Sequence, residues 1–147
     1  MCMEIKKVCS CGKNHAFFNL RDNVLIPEAI SGLHCPECST DIEIDPNTML
    51  VDNGWVIAYD MVLAHALFRE KLQLDPEDVT PEFIFDNGYA TWREIYPGEH
   101  EDIKEEKEKI VAILKEDPKR YLVEMRKWAN ARMERLKKEG WRRAMNA

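Results

Sequence analysis

The chain has 147 residues, of which 45% are hydrophobic and 33% charged, with a formal net charge of −6. That balance fits a soluble globular protein rather than a disordered one, and no apolar run reaches the roughly 18–20 residues that a membrane-spanning helix needs. The first residues carry no apolar stretch behind their charges, so the expected location is cytoplasmic, where thiols stay reduced.

Charge is unevenly placed. Residues 119–147 hold ten Lys or Arg against three Glu, a net of +7, and residues 1–118 carry −13. An acidic body disfavours broad contact with nucleic acid, while the basic tail leaves a local role open.

The earliest feature along the chain is a pair of cysteines, Cys9-Ser10-Cys11-Gly12, answered by Cys35-Pro36-Glu37-Cys38. Between them, Ala16–Leu20 and Val24–Ile26 flank a turn-like Arg21-Asp22-Asn23 and predict a hairpin. Thr40–Asp45 alternates polar and apolar residues and predicts a half-buried strand. Asp45-Pro46-Asn47 then interrupts the pattern, and a module boundary is expected there.

Asp-Asn-Gly followed by an aromatic residue occurs twice, at 52–55 and 86–89. Each marks a sharp turn or a helix end, because Asn-Gly favours positive φ. Apolar spacing predicts a helix over 59–72, and Thr80-Pro81-Glu82 reads as a helix start with the hydroxyl as cap. Phe83, Phe85, Tyr89, Trp92 and Tyr96 form an aromatic cluster, read first as core and second as a pocket. A helix is expected over 101–116, with solvent-side spacings such as Glu105 to Lys109. Asp117-Pro118 starts a last helix that Gly140 stops. On it, Tyr121, Leu122, Met125, Trp128, Ala129, Met133 and Leu136 share one side, which Arg132 interrupts. Tyr121, Met125 and Trp128 are the candidate partner-binding residues.

Four thiolates suit a tetrahedral metal, and two tight pairs can each wrap one side of the ion. Cys9, Cys11, Cys35 and Cys38 are therefore the candidate metal ligands. His15 and His34 lie close enough in sequence to substitute for one of them, and Cys2 is left over. A module of about 40 residues cannot bury enough apolar surface alone, and metal binding on the order of 10 kcal/mol would staple it. Zinc is the expected metal and iron the alternative.

On those two cysteine pairs and the strands between them, residues 5–45 resemble a zinc ribbon. The resemblance covers under a third of the chain. It implies short antiparallel strands and a structural zinc, and it implies no particular function. Rubredoxins are similar in using paired cysteines, but both of their pairs have two-residue gaps, from which Cys9-Ser10-Cys11 departs.

The expected fold is α+β, with a zinc ribbon at 1–47 and a helical region at 48–147 that ends in a basic amphipathic helix. Catalytic signatures are missing. His100-Glu101 begins like a metalloprotease helix, but Lys104 stands where the second histidine belongs. The expected function is a non-enzymatic, zinc-stabilised binding or adaptor protein that docks on a larger protein assembly or on copies of itself. The alternative is a nucleic-acid-associated regulator that uses the basic helix. A rubredoxin-like electron carrier is more distant.

Overall fold

The computed structural model describes residues 3–146, so Cys2 lies outside the described residues. The fold is α+β and forms two compact units, the first ending at Arg93 and the second beginning at Glu94.

The first unit is built on two three-stranded antiparallel sheets. In one, β1 (Met3–Val8) pairs with β2 (His15–Leu20), which pairs with β6 (Thr91–Trp92). In the other, β5 (Trp55–Tyr59) lies between β3 (Ile30–His34) and β4 (Met49–Asp52). Along β2 the side chains of Ala16, Phe18 and Leu20 point inward while those between them stay partly open, the period-2 pattern of a half-buried strand. Helix α1 (Met61–Leu72) adds Met61, Ala64 and Phe68 to the core, and α2 (Pro81–Asp86) adds Ile84 and Phe85.

Two expected strands are corrected. The partner of β2 is β1, and Val24–Ile26 forms no strand. Asp22 and Asn23 both take φ of 54°, which turns the chain away from β2. Val24 and Leu25 then drop into the core from a loop. Thr40–Asp45 is not a strand either. Both edges of β5 are already taken by β3 and β4, so this alternating stretch finds no ladder, and Ile44 stays exposed.

The core runs across residue 47. His34 and Leu33 pair with Val56 and Ile57, and one apolar cluster extends from Ala16 to Trp92. Buried polar groups link the two sheets as well. The Trp92 indole N–H donates to Asp52 Oδ2 at 2.8 Å, and the Tyr59 hydroxyl donates to the Ala90 carbonyl at 2.7 Å. The aromatic cluster is mainly core: Phe85 and Trp92 are buried, and Phe83 and Tyr89 pack against the same core through Phe68.

In the second unit α3 (Glu99–Ile113) and α4 (Pro118–Glu139) form a helical hairpin, followed by α5 (Arg142–Met145). Asp117 caps α4 by accepting from the Arg120 N–H, and Gly140 ends it with φ of 88°. Arg132 belongs to the inward stripe. Its guanidinium donates to Tyr96 Oη at 3.1 Å and to Glu99 Oε1 at 3.4 Å, so the charge is buried with partners. Tyr96 in turn donates to Asp102 and stacks on Trp141.

Candidate metal centre

Two backbone turns present the four cysteines. Cys9 and Cys11 occupy the loop that joins β1 to β2. The Cys9 N–H donates to the Asn14 carbonyl, and the Gly12 N–H donates back to Cys9. Gly12 has φ of 77°, a conformation that only glycine adopts at little cost. Cys35 follows β3 directly, and the N–H groups of Cys38 and Ser39 both donate to its carbonyl. That closes a tight turn and brings Cys38 back beside Cys35. Ser10 donates from its backbone to the Leu33 carbonyl, which ties the first loop to the strand that carries the second pair.

The result is a cluster in which all four sulfurs lie within 4.8 Å of one another. Individual separations are 3.1 Å for Cys9–Cys38, 3.3 Å for Cys9–Cys11, and 3.6 Å for both Cys11–Cys35 and Cys35–Cys38. Zinc–sulfur bonds of about 2.3 Å in a tetrahedron require sulfurs about 3.8 Å apart. The cluster is therefore of the right size for a single ion, with small outward shifts. Burial is graded: Cys9 and Cys35 are buried, Cys38 is half-buried and Cys11 is exposed.

Hydrogen bonds favour the thiolate of Cys35. The Cys35 N–H donates to Cys9 Sγ at 3.0 Å. For Cys35 itself, burial works to raise the thiol pKa. Hydrogen bonds from the Asn14 side chain, the Cys38 backbone and the sulfurs of Cys9 and Cys38 outweigh it and bring the pKa to about 6. Cys11 moves the other way. A hydrogen bond from the Lys13 backbone lowers its pKa, but the Cys9 sulfur, burial and Cys35 together raise it. Metal ligands must be deprotonated, so a thiol held low is ready to bind near neutral pH.

The histidines stay outside. Neither His15 nor His34 belongs to the cluster; His34 Nδ1 lies 2.9 Å from Ser10 Oγ, and His15 meets the Phe17 ring edge-on. Asn14 and Gly54 support the site without having been singled out for it in the sequence. Gly54, in the first Asp-Asn-Gly turn, lies against Pro36 of the second knuckle, and its carbonyl accepts from Ser39 Oγ at 2.7 Å. Asn14 carries no such signal, because an asparagine three residues after Cys11 is ordinary in a turn.

Comparison with family models, with curated proteins and with solved structures returns no match for this chain. Its chemistry therefore rests on its own residues. Four thiolates and no other donor form a soft, closed shell that suits zinc, or iron in a mononuclear centre.

The candidate partner-binding residues lie elsewhere. Tyr121, Met125 and Trp128 are each half-buried on α4. The Trp128 indole N–H donates to Glu106 Oε2 of α3 at 3.0 Å, so part of this stripe forms the hairpin's own seam. Leu122 and Val123, one turn-position away, are exposed. Among the described residues no helix is long and apolar enough to cross a membrane.

Proposed function

We propose that the protein is a zinc-stabilised docking module, with Cys9, Cys11, Cys35 and Cys38 holding one structural zinc in a ribbon-like site. The observation that carries this reading is the convergence of the four sulfurs at the ends of two sheets. When bound, zinc supplies a cross-link between the β1–β2 loop and the turn after β3. The protein's own groups hold the thiolates: the Cys35 N–H bonds to Cys9, and Asn14 stabilises Cys35. Four protein ligands leave no open position for water or substrate, which supports a non-enzymatic role. Docking would use α4, where Tyr121, Met125 and Trp128 keep part of their surface open beside exposed Leu122 and Val123.

One observation favours a second reading, contact with nucleic acid through α4: the net charge of +7 over residues 119–147. Against it stands the −13 of the remaining chain, which repels a polyanion. A gel-shift titration with mixed RNA and DNA at two salt concentrations separates the two. The docking reading predicts weak binding near physiological ionic strength. Tight binding that falls steeply with salt, as counterion release requires, would overturn it.

A further inference from the structure

Most of the acidic charge of the first unit lies in one stretch of chain. Residues 22–92 hold fourteen Asp or Glu against two basic residues, Arg69 and Lys71, a net of −12. Lys71 is engaged in donating to the carbonyls of Asn23 and Val24.

Within this stretch lies a pocket of about 240 Å³, lined from the starts of α1 and α2 and from the chain at 46–47 and 76–80. Its walls are apolar, from Pro46, Met61, Pro76, Val79 and Pro81. Small-molecule sites are usually larger, about 300–1,000 Å³, so this size suits one long side chain. The polar groups that line it are Asn47, His65, Thr80 and Glu82. His65 Nε2 lies 3.1 Å from the Val79 carbonyl. A carbonyl only accepts, so the neutral ring carries its proton on Nε2 and keeps Nδ1 as an acceptor.

Charge beside the pocket selects the sign of the ligand. Glu82 lines it, and Asp45, Glu77 and Asp78, each next to a lining residue in sequence, are exposed. Asp45 Oδ1 accepts from the Asn47 N–H at 2.9 Å, which holds that carboxylate beside the lining chain. No Lys or Arg stands within three positions of any lining residue. The two helix starts do not reverse this sign. The Asp60 side chain accepts from the Leu63 N–H and the Thr80 side chain from the Phe83 N–H, so those donors are not free for an anion. Apolar walls among carboxylates match lysine or arginine, whose hydrocarbon stem lies on apolar surface while its charged head stays at the polar edge.

We infer that this pocket takes an arginine or lysine side chain from a basic peptide segment, with the stem against Met61, Val79 and Pro81 and the charged head at Glu82. The surface is separate from α4, and the inference does not rest on docking there. NMR of the zinc-loaded, 15N-labelled full chain tests it, by titration with a synthetic peptide of arginine, glycine and serine at physiological ionic strength. A peptide with glutamate in place of arginine serves as the control. Saturable shifts are expected at the amides of Asn47, His65, Thr80 and Glu82 with the arginine peptide, and none with the glutamate peptide. Glu82→Lys should raise the Kd by about tenfold or more, because it sets like charges together. Glu82→Gln, which keeps the shape of the side chain, should weaken binding in the same direction. Glu70→Lys makes the same charge change on exposed α1 outside the pocket, and screening should hold its effect below about twofold. Absence of binding, shifts spread over the acidic surface, or binding of the glutamate peptide would overturn the inference. So would equal losses from Glu70→Lys and Glu82→Lys, or an unchanged Kd in Glu82→Gln.

Discussion

Gly54 shows how a residue remote in sequence can act on the cysteines. Its φ is 89°, and a Cβ added there would sit 3.1 Å from the Pro36 Cβ. Alanine would be strained by its backbone, at about 1 kcal/mol, and would also press on the turn that carries Cys35 and Cys38. Gly54→Ala is therefore expected to lower the melting temperature and to speed zinc loss to a competing chelator. Gly140→Ala, at a similar φ of 88°, should cost comparable stability and leave zinc retention unchanged. Equal zinc retention in Gly54→Ala and the parent would show that the turn does not brace the site. At this scale the sequence was readable where chemistry is local. The four cysteines announce themselves by spacing, because ligands within one turn must be one or two residues apart. Asn14 and Gly54 were not readable as site residues, since each acts through a neighbour that only the folded chain brings near. Arg132 was misread for a related reason: it breaks an apolar stripe on paper, but Glu99 and Tyr96 supply the partners that let it be buried.

Among the elements, helix ends were the most legible. Thr80 accepts from the Phe83 N–H, Asp117 accepts from the Arg120 N–H, and Gly140 closes α4, each as its residue type predicts. Capping satisfies backbone groups within one turn, so its signal is contained in a few residues. Strand pairing is not local. β1 went unseen because Met3–Val8 has only Ile5 and the half-buried Lys7 on its inner side, and Thr40–Asp45 was over-read because its alternation said nothing of a free sheet edge. The element-scale consequence concerns chelation. The four sulfurs tie β3 to the β1–β2 loop, and α1 and α2 share the core of those sheets. Removing the metal is therefore expected to reduce the helical circular dichroism in part, with α3 and α4 retained, and to broaden the NMR signals of the first unit. Complete loss of helix on chelation would mean that the hairpin depends on the metal as well. No change at all would mean that the first unit needs no staple.

For the whole molecule, charge is divided between an acidic body and a basic final helix, and four cysteines converge at one place that could hold a metal ion. The charges are −13 over residues 1–118 and +7 over 119–147, and the four sulfurs lie within 4.8 Å of one another. The core that runs from Ala16 to Trp92 makes the cysteine cluster part of a larger unit than residues 1–47, so loss of metal should be felt well beyond the loops that bind it. The central claim is one structural zinc per chain on Cys9, Cys11, Cys35 and Cys38. Elemental analysis of the full chain, purified without chelator, beside Cys35→Ser and Cys11→Ser variants, tests it most directly. The account predicts one equivalent of zinc in the parent and none in Cys35→Ser, with little retained in Cys11→Ser. No metal in the parent, or a full equivalent in Cys35→Ser, would contradict it.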